Sequence, residues 1–323
     1  MNRKLSLGMI LRSRMFLMLF LLVAMIIYFT ISSNGIMLNP RNLVNIFNMM
    51  TISLYFAASV TLLMVGGSVD LSTGAIGTIA SICGAYFMRD GMPFLPALLV
   101  TVVAGIICGL INGVLVNELR LAPFIVTLAT TNIFTGVVYI LANKSTIDVT
   151  NNTMLFYGQR YFFKYIPVSM CFAFIVFAII GIVLHKTTFG RKIYMLGGNP
   201  RAAMLTGINS RRMSYILFSI TGGVAGMAGL TLAARMGAAT IAGTGMSRFT
   251  GMTAASLGGI SLGGGSGGIV GCFVGVLVLQ TFSNGLAVLG VNAYYQNMAQ
   301  GVLLLFALSI DYFQRQAQAK GGT

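Results

Sequence analysis

The sequence predicts an all-α polytopic membrane protein, a single transmembrane domain over residues 1–323 with about ten spans. Three observations carry that prediction. Of the 323 residues, 57% are hydrophobic and only 8% are charged, whereas a soluble domain carries roughly 25% charged residues. The apolar residues fall in runs long enough to cross a bilayer. The cations stand at the ends of those runs, where topology signals belong.

In chain order the runs are 15–31, 43–65, 72–88, 94–116, 122–142, 166–185, 213–233, 250–262, 268–289 and 293–310. Arg3, Lys4, Arg12 and Arg14 precede the first. That run is longer than the apolar region of a signal peptide, and no A-x-A site follows, so an uncleaved first helix with a cytoplasmic N-terminus is expected. The short run at 250–262 suits either a span or a half-helix buried in protein. With the N-terminus inside, segments 1–14, 117–121, 186–212 and 311–323 are cytoplasmic and hold 13 of the 20 Lys/Arg. Arg41, Arg89, Lys144, Arg160, Lys164, Arg235 and Arg248 then lie outside. Ten crossings place both termini in the cytoplasm.

The net charge is +15, with five acids: Asp70, Asp90, Glu118, Asp148 and Asp311. In a soluble protein such a charge would suggest nucleic acid as partner. Here the cations punctuate spans, so they read as topology signals and contacts to anionic lipid, with no nucleic acid. Cys83, Cys108, Cys171 and Cys272 are scattered inside apolar runs without a CxxC pair, and His185 is the only histidine, so no metal site is expected.

Glycine spacing gives the next signal. Gly105, Gly109 and Gly113 form GxxxGxxxG, Gly267, Gly271 and Gly275 repeat it, and Gly222 and Gly226 add one more step. On a helix this spacing lines one face with small residues and lets two backbones approach. Chance triplets among 40 glycines are the alternative. Two further segments look alike, GGSVDLSTG (Gly66–Gly74) and GGISLGGGSGG (Gly258–Gly268). No Gly-Lys-Ser/Thr occurs, so neither is a phosphate loop, and the chain carries no recognisable ATPase or cofactor of its own. They read as tight turns between helices, built on Gly66, Gly67, Ser72, Gly74, Gly258, Gly259 and Gly264, with Asp70 as a cap or turn-former before Ser72.

The stretch Lys186–Arg212, KTTFGRKIYMLGGNPRAAMLTGINSRR, holds six Lys/Arg and no acid. Asn199 suits an N-cap, Pro200 the first helical position and Gly207 the stop, which predicts a short helix over Pro200–Thr206 on a cytoplasmic loop. A long structured loop of that kind usually serves as a docking surface.

These segments resemble ABC importer permeases of the ribose/arabinose/xylose/galactose branch, to which autoinducer-2 permeases also belong and branched-chain amino-acid permeases are related. TTFGRKIYMLGGNPRAAMLTGI (Thr187–Ile208) is similar to that branch's signature, and GGSVDLSTG to its GG-x-x-DLS-x-G element. PFIVTLATTNIFTG (Pro123–Gly136), LGGISLGGGSGGIVG and NGLAVLGVNAYYQNMAQGVLLL (Asn284–Leu305) match in the same order. The resemblance implies a type II importer fold in a bacterial inner membrane, with a translocation path at a dimer interface. It implies as partners a cytoplasmic ABC ATPase, an extracytoplasmic substrate-binding protein, and a second permease copy or a paralogous permease. It assigns Gly190, Arg191, Gly197, Gly198, Asn199, Pro200, Arg201, Ala202, Ala203 and Gly207 to ATPase coupling, with Pro200–Thr206 as the coupling helix. Lys192, Arg201, Arg211 and Arg212 would pair with acids of the ATPase, or else with lipid headgroups.

The sequence departs from the branch in two places. Relatives carry Glu and Asp in a GxGxELDxIAA-like run, and here GTGMSRFTGMTAA (Gly243–Ala255) has Arg248 and Thr250 near those positions; in the loop, Arg201 stands where Glu is common. The rival class, an ion-gradient-driven secondary transporter of small polar solutes, generally needs ionisable groups within its spans. Asp70 and Asp311 sit at span ends, and no span has a central acid, Lys, Arg or His. For an uncharged polar cargo the candidate path residues are Asn48, Thr51, Thr127, Thr130, Thr131, Asn132, Gln280 and Asn284. The alternative for each is that Thr bonds its own helix and Asn or Gln ties helices together.

Overall fold

A computed structural model describes residues 14–149, 151–245 and 247–320. Among them the fold is helical apart from four two-residue strands. The helices are α1 (Arg14–Ser32), α2 (Pro40–Val65), α3 (Thr73–Arg89), α4 (Phe94–Glu118), α5 (Pro123–Leu141), α6 (Asn152–Gln159) and α7 (Val168–Lys186). Then follow α8 (Thr188–Gly198), α9 (Pro200–Leu205), α10 (Ser210–Met236), α11 (Ser247–Leu257), α12 (Ile269–Val288) and α13 (Ala293–Lys320).

Every apolar run of the sequence contains a helix, but seven are long and apolar enough to cross a membrane: α1, α2, α4, α5, α7, α10 and α12. Of the other three, α3 has 17 residues, α11 has 11 and α13 is long but more polar. At about 1.5 Å per residue, α11 covers roughly half of a bilayer core, the half-helix reading of this segment. The N-terminal cations Arg3, Lys4 and Arg12 lie outside the described residues, as do the side chains of Asp311, Arg315 and Lys320.

Burial sorts the helices into an inner and an outer set. The most apolar stretch of α2 is 83% buried and that of α10 is 72%, whereas α1 is only 6% buried. Tyr55, Phe56, Leu62, Ile76 and Phe218 are fully enclosed at the centre. The outward apolar faces of α1, α4, α5 and α7 are what a chain solvated by lipid must present.

Glycine makes the tightest joint. A methyl group on Gly105 would strike the Gly222 carbonyl, one on Gly222 would strike that of Gly105, and one on Gly109 would strike that of Phe218. Thus the first triplet is a true contact face, α4 against α10. The second triplet is corrected in part. Gly271 and Gly275 lie on α12 and press the Gly258 and Ala254 carbonyls, but Gly267 precedes the helix in a left-handed turn at φ +95°.

At one end of the bundle, the stretch expected as a loop after α5 carries α6 and two short strand pairs. Ile147–Asp148 pairs antiparallel with Ala238–Ala239, and Tyr161–Phe162 with Ile166–Pro167. Asn151 caps α6 by accepting from the amides of Thr153 and Met154.

Candidate functional site

At the opposite end stands a layer made of α8 and α9. The expected short helix forms over Pro200–Leu205, one residue shorter than read from the sequence. Asn199 Oδ1 accepts from the Ala202 amide at 3.0 Å, and Pro200 occupies the first turn, where its missing N–H costs nothing. The helix closes by a Schellman motif, with Ile208 N–H on the Ala203 carbonyl at 3.1 Å and Gly207 N–H on that of Met204 at 3.0 Å. Gly207 has φ +81°, the conformation that this ending requires. Ala203 and Ile208 are buried beneath, while Met204 is 55% and Leu205 90% exposed. The result is a rigid rod that presents an apolar tip.

The 27-residue stretch also holds α8, which corrects the expectation of a single short helix. Thr187 caps it by accepting from the Gly190 amide, and Ile193, Leu196 and Gly197 are buried. The spacing of Phe189, Ile193 and Leu196 was the available signal. Lys186, Arg191, Lys192, Arg201, Arg211 and Arg212 are all exposed around the two helices. Arg211 is already paired with Glu118 at 3.5 Å, and Glu118 also accepts from the Tyr215 hydroxyl. Such an exposed pair contributes at most about 1 kcal/mol, so Arg211 stays available to a better partner.

This layer is keyed to the bundle through glycine. The look-alike segments both begin as helix endings: Gly67 closes α2 with Ser68 N–H on the Leu63 carbonyl, and Gly259 closes α11 with Ile260 N–H on that of Ala255. A methyl on Gly264 would stand 2.7 Å from Gly67 Cα and 2.8 Å from Gly197 Cα, and one on Gly265 would strike Gly198. Gly265 N–H also donates to the Val65 carbonyl at 2.8 Å. Three segments distant in sequence therefore meet backbone to backbone beneath α8. Two side chains to which the sequence assigned no role brace the joint. Tyr194 donates to the Gly267 carbonyl at 2.7 Å, and burial pushes its phenol above the ordinary range, so it remains a donor. His185 Nε2 accepts from the Ile269 amide at 3.3 Å, at the start of α12.

Asp70 is a turn-former, as the sequence suggests. Its carboxylate accepts from the Ser72 amide at 2.7 Å and the Ser72 hydroxyl at 2.6 Å, while Asn112 Nδ2 bridges it to Ser72. Gly74 begins α3 against the carbonyls of Thr244 and Gly245. Asn112, unnoticed in the sequence, is fully buried in this knot.

The polar span residues do not share one place. Thr127 accepts from the Leu71 amide at 3.1 Å and Thr131 donates to the Leu71 carbonyl at 3.2 Å, so both hold the Asp70 turn. Asn284 exchanges hydrogen bonds with Asn42 at 2.8 and 3.0 Å, tying α12 to α2. Gln280 donates to Ser53. Thr51 and Thr130 bond their own helix. Asn48 reaches the Tyr161 hydroxyl, and Asn132 is exposed on α5.

The profile of a family described as branched-chain amino acid transport system / permease component matches residues 42–308. The chain belongs to this family. Among its relatives, the ribose import permease protein RbsC of Bacillus subtilis is 35% identical over 298 residues, covering 92% of this chain and 91% of the relative. The D-allose transport system permease protein AlsC of Escherichia coli is 33% identical, covering 90% of each. The fructose import permease protein FrcC of Rhizobium meliloti is 31% identical, covering 93% of this chain and 86% of the relative. No solved structure matches the chain. These transport permeases span nearly the whole chain, and the family assignment places the chain in the monosaccharide branch of importer permeases rather than among secondary transporters.

Proposed function

We propose that this chain is the inner-membrane permease subunit of an ATP-binding-cassette importer whose cargo is an uncharged sugar. The family assignment supports the permease role, and the printed cargoes of the relatives support the sugar. In this reading a separate cytoplasmic ATPase supplies hydrolysis, with no cofactor in the permease itself. An extracytoplasmic binding protein delivers cargo, and a second permease copy or a paralogue completes the path. Three shorter or more polar helices, α3, α11 and α13, complete ten membrane segments, with both termini and the α8–α9 layer in the cytoplasm. The path forms between two permeases, where exposed Asn132 is available to line it, while Thr51, Thr127, Thr131 and Asn284 are buried in bonds within the bundle and Asn48 reaches Tyr161.

The single observation that carries the coupling role is α9: a doubly capped six-residue rod whose Leu205 is 90% exposed, ringed by cations and keyed through Gly197 to the bundle. An apolar knob held out from a rigid base fits a cleft in a partner better than it fits water. The ATPase encoded with this chain should co-purify with it, and Leu205→Asp should abolish that association while the variant stays monodisperse. Unchanged co-purification of Leu205→Asp would refute the docking role of α9.

A further inference from the structure

At mid-depth in the bundle, where Gly251 of α11 packs on Phe56 in the middle of α2, the N-terminal halves of α11 and α13 flank an open cavity of about 410 Å³. Small-molecule sites begin at about 300 Å³, so it has room for a solute of monosaccharide size. Its polar walls are Ser247, Thr250 and Thr253 from α11 and Asn297 and Gln300 from α13, with Phe249 as an apolar flank. Beside Phe249, Gly301 and Leu304, three hydroxyl-bearing and two carboxamide-bearing side chains thus line it, each able to donate and to accept.

None of the residues lining the cavity is charged. The neighbouring cation, Arg248, is engaged elsewhere: its Nη1 donates to the Gly245 carbonyl at 2.8 Å and its guanidinium stacks 4.6 Å from the Phe249 ring centre. Two wall groups are held in place with acceptor capacity left over. Gln300 Nε2 donates to Ser283 Oγ at 3.1 Å, which leaves the Gln300 carbonyl oxygen. Thr253, only 2% exposed, donates to the Phe249 carbonyl at 2.7 Å and keeps its oxygen lone pairs. On α13, Gly301 and Leu304 share this wall with Asn297 and Gln300, while Met298, Val302 and Leu305 are exposed on the other flank. Uncharged hydrogen-bonding groups beside the apolar Phe249 and Leu304 suit a neutral hydroxylated molecule, which presents both hydroxyls and C–H faces, and suit ions poorly.

We propose that this cavity is a weak, transient binding station for an uncharged polyhydroxylated solute of monosaccharide size, with Thr250 and Asn297 as its principal contacts. It rests on the importer reading for its place in transport, but not for its chemistry. Saturation-transfer NMR on the purified full-length chain in lipid nanodiscs, with D-ribose and D-fructose as probes and D-gluconate as the charged control, tests it without any partner. Signal should transfer to at least one neutral sugar and not to gluconate. The double variant Thr250→Val/Asn297→Leu should weaken it roughly tenfold, the loss expected from two neutral hydrogen-bonding groups. Asn297→Trp, which fills the mouth from an exposed position, should abolish it while the melting temperature is kept. Equal transfer in wild type and both variants, transfer to gluconate as well, or no transfer in the wild type would each overturn the proposal. A chain that binds sugar here yet captures no ATPase would uphold the cavity and remove the importer reading.

Discussion

Gly222 and Gly136 show that the same residue type carries unequal weight. A methyl on Gly222 would collide with the Gly105 backbone, whereas one on Gly136 meets nothing within 4 Å. Neither backbone carbonyl at the α4–α10 contact can swing away as a side chain could. Gly222→Leu should therefore separate the helices at a cost of at least the 1–3 kcal/mol typical of overpacking, seen as a lower melting temperature and poor recovery from the membrane. Gly136→Leu should melt within a degree or two of the wild type, roughly the effect of a neutral surface change. Equal effects would show that α4 and α10 are not closely joined. The GxxxG spacing made the first triplet legible in the sequence, because period and helix geometry coincide. Gly267 fitted the same pattern yet lies in a turn, since spacing alone is blind to where a helix starts.

At the scale of elements, α9 was legible because Asn199, Pro200 and Gly207 are local signals that act within one turn. The neighbouring α8 was not assigned, although Thr187 and the Phe189–Ile193–Leu196 spacing mark it; its glycines at 190, 197 and 198 entered only through the resemblance, as coupling residues. Gly197 and Gly198 permit contact with Val65 and Gly265, a tertiary cause that no window of sequence contains, whereas Gly190 packs on the Leu184 carbonyl. Nor could the sequence join Thr127 and Thr131 to Leu71 across the chain, so it offered them as path residues. The coupling proposed for α9 would depend on its ending. Gly207 has open space around it, so a substitution there is penalised by backbone conformation alone, about 1 kcal/mol or more for a β-branched residue. Gly207→Val should reduce ATPase co-purification or substrate-stimulated hydrolysis severalfold with insertion unchanged, whereas Gly207→Asn, whose side chain tolerates the left-handed region, should largely preserve both. Indistinguishable behaviour of the two variants would mean that the shape of α9 plays no part in coupling.

The whole molecule has a buried pair of helices, α2 and α10, an apolar exterior, and two dissimilar ends. One end is a basic layer with a protruding rod, the other carries short strands and α6, and the uncharged cavity between α11 and α13 lies at mid-depth. Closure at the glycine junction would move α2, α8 and the end of α11 together, because Gly67, Gly197 and Gly264 share one contact. Drive by a separate ATPase is the central claim. Its most direct test is uptake of D-ribose, D-fructose, D-xylose or D-allose into proteoliposomes that hold this chain with the binding protein and ATPase encoded beside it. Uptake should require ATP on the ATPase side and persist when ionophores collapse every ion gradient. Uptake by this chain alone, driven by an imposed gradient without ATP, would contradict the account.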